Sequence, residues 1–322
     1  MDNQKNILAW GTDCLVSRGY SMDIAPEIVL STPWSTVIRF STTEGDFYLK
    51  QTPSSHFLSV EPKIIQLLSD KFQASVPEVM AINEAEHCFI MKDAGKCLRS
   101  ILKNNFNPDL LCQAIVQFCA IQRSLETHID TFFAFDIPDW RLVKIPGLYD
   151  EIIQQTDFLK AEGLSKEECK KLENLSPLCL SQCEQLAGYG IPETLGFHDF
   201  SDNNILIDTK SQKMTFLDWG ETAIIHPFFP LYNSLKQAIK HHGVKEGDPV
   251  YLKLQDACFN NWLTLMTKAQ LLDMFSLAKR LYSIYSLLAC YQFMMSVDLQ
   301  AYKAHYANRT SQVAEILREW LI

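Results

Sequence analysis

The stretch LGFHDFSDNNILID, Leu195 to Asp208, sets a histidine, two aspartates and two adjacent asparagines directly ahead of an Ile-Leu-Ile run that a third aspartate follows. Turns in solvent also collect Asp, Asn and Ser, because those side chains bond their own backbone. The residues downstream set this stretch apart. Ile205–Ile207 and residues 214–217 are short apolar runs joined by the polar segment 208–213, the pattern of a β-hairpin. In an antiparallel hairpin the start of the first strand lies beside the end of the second. The spacing therefore predicts that Asn204 and Asp218 are neighbours, with the loop carrying Asp199 entering at the same end.

An Asn amide oxygen and an Asp carboxylate are hard oxygen ligands of the kind Mg²⁺ prefers, and that ion commonly bridges to substrate phosphates. A further carboxylate held off the metal can accept the proton of an attacking hydroxyl. Phosphoryl-transfer sites divide the labour in this way: a loop Asp, an Asn five residues on, and a second Asp before Gly. Here the elements are Asp199, Asn204 and Asp218-Trp219-Gly220. An isolated Asp-x4-Asn is common; joined to the apolar triplet, the short turn and Asp-Trp-Gly, it is far more specific.

On these residues the chain resembles the aminoglycoside phosphotransferase family, the small-molecule branch of the protein-kinase-like fold that includes choline-, homoserine- and fructosamine-type kinases. The family pattern is His-x-Asp, Asn five residues after the Asp, an apolar strand, a turn and an Asp-Trp-like pair. With Asp199 and Asn204 in register, Phe197 takes the place of the family histidine and His198 the variable middle position. Phe197 is expected to act as an apolar prop beneath the Asp218 turn. Anchoring on His198 instead would put Phe200 at the Asp position.

The resemblance extends upstream. FYLKQTP is similar to the family strand whose lysine, here Lys50, holds the α- and β-phosphates, and Glu61 matches the acidic residue paired with it. FIMKDAG is similar to the inter-lobe hinge, implying that backbone groups at Lys92 and Ala94 hold the adenine. Downstream, HPFFPLYNSL is similar to a segment that packs the metal loop onto the helical lobe. The implied fold is α+β and two-lobed, protein-kinase-like. Residues 1–94 would form a small β-rich nucleotide lobe with one helix, and 95–322 a larger, mainly helical lobe with the catalytic and metal-binding loops. The implied cofactors are ATP and Mg²⁺, with Lys50, Glu61, Lys92 and Ala94 on the nucleotide, Asn204 and Asp218 on the metal, and Asp199 as catalytic base.

The local patterns agree with such a division. Residues 35–42 and 46–51 flank a Gly-bearing turn and read as a hairpin, and Pro62 opens a helix that starts near Ser59 or Glu61. After Gly95 helical periodicity dominates. Asn107-Pro108 is an N-cap followed by proline, and Ser165 with Glu168 is a capping box heading a helix expected to reach about Leu186. In this half only Ile205–Ile207 and residues 214–217 read as strands. The turn within STPWST, where a phosphate-covering loop would lie, has no glycine.

Composition removes other classes. Hydrophobic residues make up 47% of the 322, enough for a large core. Against 38 acidic residues stand 29 basic ones, a net charge of −9, with no dense Lys/Arg run of the kind nucleic-acid binders show. The balance favours cationic acceptors. Ten scattered cysteines without a Cys-x-x-Cys pair read as buried thiols in a reducing cytoplasm, and no signal or membrane-spanning segment is evident. The short path from Asp218 to His226-Pro227 leaves no room for a protein-kinase activation segment, so the acceptor is expected to be a small molecule carrying a hydroxyl: an amino alcohol, sugar or aminoglycoside-like compound. Trp140, Glu221 and Trp262 are candidate acceptor contacts, His226 reads as structural, and Asp202 as an exposed loop acid or a substrate contact. The competing reading is a degenerate kinase-like module that binds nucleotide or a partner without turnover.

Overall fold

Alternation of apolar and polar residues from Ser35 to Gln51 folds that stretch into two strands with one buried face. β2 (Ser35–Thr42) pairs antiparallel with β3 (Gly45–Gln51), setting Ile38 against Leu49 and Phe40 against Phe47. The computed structural model describes residues 2–322, which divide into two compact units.

The first unit comprises residues up to Lys96 together with Leu206–Gly220 and Met294–Ala307. Its main sheet is antiparallel, and β1 (Glu27–Thr32), β4 (Val79–Asn83) and β5 (Cys88–Lys92) complete the order β1-β2-β3-β5-β4. The turn between β1 and β2 is Pro33-Trp34, where the fixed φ of proline suits the first central position. A helix Asp2–Val16, which the sequence pattern does not announce, lays Ile7 and Leu15 on Ile38, Phe40, Phe47, Leu49 and Ile90. After β3 and the short helix His56–Ser59, a longer helix runs from Glu61 to Phe72 with proline in its first turn, as the sequence indicates. The polar segment 208–213 turns as expected: Asp208 Oδ1 accepts from the amides of Lys210 (2.7 Å) and Ser211 (3.0 Å). It joins β8 (Ile205–Ile207) to β9 (Met214–Phe216), in a three-stranded sheet with the short β6 (Lys96–Cys97).

The second unit comprises Cys97–Ile205, Glu221–Phe293 and Asn308–Ile322 and is mainly helical. Asn107 caps the helix Pro108–Leu125 by accepting from the amides of Asp109 and Leu110 at 3.0 and 3.3 Å. The Ser165–Glu168 capping box is present. The helix it opens stops at Asn174, however, and a second begins at Ser176. Pro177 is the reason, since its ring disfavours continuing the preceding turn. Two further strands are not foreseen from the sequence: β7 (Thr194–Phe197) and β10 (Thr222–Ile225), which pair antiparallel. All their residues are buried, so neither shows the alternation that reveals a half-exposed strand. No helix among the described residues is long and apolar enough to cross a membrane.

Gly95, at the end of the FIMKDAG segment, has φ +114°, and a Cβ there would lie 2.3 Å from the carbonyl oxygen of Ile207. Gly95→Ala is therefore expected to cost at least about 2 kcal/mol, from positive-φ strain plus backbone collision. Gly45→Ala, at φ +121° with open space around it, should cost less. Urea unfolding of both variants measures the difference.

Candidate active site

In the first unit three charged side chains from distant parts of the chain meet. Lys50, on β3 opposite Phe89 of β5, places its ammonium 2.6 Å from Asp218 Oδ1 and 2.8 Å from Glu61 Oε2. Glu61 is the first residue of its helix and only 2% exposed. A carboxylate is favoured there by the helix dipole, and the Trp219 backbone amide donates to it. Burial pulls the Lys50 ammonium down, but the charges of Asp218 and Glu61 outweigh it and hold the group above its ordinary value. Burial also lifts the Glu61 carboxyl above the usual carboxylate range, against the pull of Lys50. The Asp218 side chain is the accessible member, at 39% exposure.

The Asp-Trp-Gly turn is built to hold this contact. Asp218 has φ +67°, a left-handed conformation that Asp tolerates better than most residues. Trp219 is fully buried and its indole donates to the carbonyl of Phe216 at 2.9 Å. A Cβ on Gly220 would come within 3.2 Å of Glu61 Oε2, so a residue without a side chain lets the turn approach that carboxylate.

The hinge-like residues lie in the same unit. Lys92 pairs with Phe47, and its amide donates to the carbonyl of Glu78 at 3.0 Å, so that N–H is committed to the sheet. The amide and carbonyl of Ala94 carry no backbone bond among the described residues. Both residues line a cavity of about 230 Å³ with Glu78, Asp208, Lys213 and Thr215. The glycine-free β1–β2 turn is held by aromatic packing, with Trp34 stacked on Tyr306 at 5.6 Å and edge-on to His305 at 4.9 Å.

In the second unit Asn204 Nδ2 donates to both the backbone carbonyl and Oδ2 of Asp199, each at 3.0 Å. The amide nitrogen is thereby committed, and the oxygen of Asn204 is the atom presented as an acceptor. Phe200 stacks on Phe118 at 3.7 Å, and its carbonyl accepts from Asn233. Phe197 is fully buried, edge-on to Phe118 and Phe200. His198 contacts Ser286 at 3.1 Å and the Tyr282 hydroxyl at 3.3 Å. The Tyr282 proton is committed to Asn233 Oδ1 at 2.7 Å, so the His198 Nε2 must carry a hydrogen for that contact. Burial, aided by Lys236, lowers His198 to about 4.

Asp202 differs from expectation. It is neither an exposed loop acid nor open to substrate: it is 2% exposed, ion-paired with Arg99 and hydrogen-bonded to His242. The sequence conceals these partners because they lie about a hundred residues upstream and forty downstream, on separate helices. Trp262 is fully buried, edge-on to Phe228, and so is a core residue and not an acceptor contact; Trp140 is 5% exposed against Tyr285. His226 is structural as expected, buried with its Nδ1 accepting from the amide of Phe228 at 3.3 Å.

The sequence matches no family model and no curated protein. Among solved structures the chain is similar to the GDP complex of wild-type aminoglycoside 2'-phosphotransferase-IIIa, at 15% identity and TM-score 0.60, covering 98% of each chain. It is similar to macrolide 2'-phosphotransferase type I, at 10% identity and TM-score 0.59, covering 97% of this chain and 96% of that one. Choline kinase LicA from Streptococcus pneumoniae gives 11% identity and TM-score 0.59 over 97% of this chain and 99% of its own. The chain therefore has the α+β, protein-kinase-like fold shared by aminoglycoside phosphotransferases and choline kinases.

Two histidines give this unit an acid limit. Burial lowers His226 to about 3 and His198 to about 4, both below the free value of 6.5. As pH falls through 6.5 the unfolded chain takes up protons that the folded chain refuses, so stability is lost down to about pH 4 for His198 and about pH 3 for His226. At pH 5 the loss should be about 2 kcal/mol per histidine. Urea unfolding between pH 7 and 5 measures it, and His198→Asn should make the dependence shallower by about half.

Proposed function

We propose that this chain is an ATP- and Mg²⁺-dependent phosphotransferase that moves the γ-phosphate to a hydroxyl of a small molecule. The observation that carries the reading is the Lys50–Glu61–Asp218 cluster, an ammonium oriented by a buried carboxylate beside a more exposed one. It occurs in a chain whose Asn204 and Asp199 are joined side chain to side chain. The fold similarity supports the same class, and one of these neighbours is a complex with the nucleotide GDP.

Lys50 would hold phosphate oxygens, kept in place by Glu61. Backbone groups of Ala94 would meet the base, whereas the amide of Lys92 is already committed to Glu78, so that residue would contribute its carbonyl or its side chain. The donors fit Mg²⁺: the Asn204 amide oxygen, whose one neighbouring donor is Asn203 Nδ2 at a long 3.5 Å, and the accessible Asp218 carboxylate are hard oxygen ligands. When bound, the ion supplies neutralisation of phosphate charge. Asp199 would orient the acceptor hydroxyl and accept its proton as the new O–P bond forms and the bond to the leaving nucleoside diphosphate breaks. Most of the rate would come from positioning and charge, with little covalent work by the protein.

In this reading residues 1–94 serve as the nucleotide lobe and 95–322 as the catalytic lobe. The net charge of −9 favours a cationic acceptor such as an amino alcohol or aminoglycoside-like compound, with sugars as the neutral alternative. All ten cysteines are free, which suits a reducing cytoplasmic setting.

Nucleotide titration and ATP turnover on purified variants test the roles. Lys50→Ala should weaken binding of ATP–Mg²⁺ and lower turnover by roughly a hundredfold or more. Asp199→Asn should leave ATP affinity within about threefold while kcat falls by roughly 10²–10⁴. Binding of ATP–Mg²⁺ without turnover would favour the module without catalysis, and turnover indifferent to Asp199 would remove the assignment of Asp199 as the base. No binding at millimolar nucleotide would remove the enzyme reading.

A further inference from the structure

Within the loop that carries Asp199 and Asn204, the residue between them that binds most tightly to the rest of the unit is Asp202. Its Oδ1 accepts from Arg99 Nε at 3.0 Å, with the Arg99 terminal nitrogen 2.9 Å away. Its Oδ2 lies 2.7 Å from His242 Nε2. The same arginine donates to Ser201 Oγ at 3.2 Å, so one guanidinium grips two consecutive loop residues. Arg99 sits in the first turn of the helix Leu98–Asn104, and His242 is the last residue of the helix Phe228–His242. The His242 side chain is 1% exposed and stacked on Phe106 at 4.8 Å.

Such a buried ion cluster is a poor way to gain stability, because desolvating the charges offsets much of their attraction. What it does supply is a unique geometry: the guanidinium fork and the imidazole N–H each dictate where the carboxylate must sit. With Asp202 fixed at both oxygens, the 3₁₀ turn Asp202–Asn204 is fixed, including the Asn204 amide bonded to the carbonyl of Ser201 at 3.0 Å. Asn204 in turn orients Asp199.

We propose that Arg99, Asp202 and His242 form a positioning triad that holds Asp199 and Asn204 in working geometry without touching nucleotide or acceptor. The inference rests on the proposed phosphotransferase only for its kinetic consequence; the ordering of the loop is independent of it. His242 must donate through Nε2, so the triad distinguishes side chains that offer an N–H from those that do not.

The test uses the full chain with His242→Leu, His242→Gln and Asp202→Asn, reading amide hydrogen exchange over residues 198–206 and ATP–Mg²⁺ turnover. His242→Leu and Asp202→Asn should speed exchange of the loop about tenfold or more, with the helix Pro108–Leu125 unchanged as the control for folding. The same variants should lower kcat about tenfold or more while KM for ATP stays within about threefold. His242→Gln, which restores an N–H donor, should return both readouts to within about threefold of the parent. Loop exchange in His242→Leu equal to that of the parent, or His242→Gln indistinguishable from His242→Leu, would overturn the proposal. If the parent chain shows no turnover, the phosphotransferase reading fails, and the exchange measurement alone decides the triad.

Discussion

An ammonium held between two carboxylates is the contact on which the first unit is organised. Lys50 is largely withdrawn from water, and a lysine in that position stays charged only where opposite charge outweighs desolvation. Glu61 and Asp218 do so together, and each makes demands on the chain. Glu61 must start a helix whose first turn faces β3. Asp218 must follow β9 directly and adopt a left-handed backbone. Trp219 must be buried to anchor the turn, and Gly220 must be bare to clear Glu61. The edge of this arrangement is tied down as well, since the Phe216 amide bonds the carbonyl of Ser75 at 2.9 Å. Segments separated by more than a hundred residues are thus committed to a cluster whose most exposed member is Asp218.

The loop of the second unit that carries Asp199 and Asn204 is held on a different principle. Its backbone is braced through the Phe200 carbonyl by Asn233, which is itself bonded to Tyr282, and its apolar residues are locked into aromatic packing with Phe118. The polar anchor at Asp202 adds direction where packing alone would leave rotation possible. A phenylalanine at position 197 fits this environment because the surroundings are aromatic and fully buried.

Much of this is legible in the sequence, and the parts that are not share a cause. Asp218 is marked by the hairpin spacing and Lys50 and Glu61 by the resemblance, and the ion cluster joins the three residues so singled out. The Asn107 cap and the Ser165 box are each encoded within four consecutive residues, and both appear. Strands β7 and β10 carry no such signal, because four buried residues in a row look alike in any secondary structure. Asp202 misleads for the same reason in reverse: its neighbours in sequence make it look like a solvated turn acid. Its neighbours in space, Arg99 and His242, have no local motif. The helix Asp2–Val16 goes unannounced although Ile7 and Leu15 are buried on the sheet and Leu8, Trp10 and Cys14 pack against the same core; a glycine at position 11 interrupts its helical pattern.

Transfer of a phosphoryl group to a small hydroxyl compound is tested most directly by following the label. The purified chain would be incubated with Mg²⁺, ATP radiolabelled at the γ-phosphate, and separate pools of amino alcohols, sugars and aminoglycosides. A phosphotransferase working through Asp199 puts label in an acid-stable phosphate ester of a small molecule in at least one pool, and none when Asp199 is replaced. Label that appears only as inorganic phosphate, only on protein, or equally with and without Asp199 would contradict it.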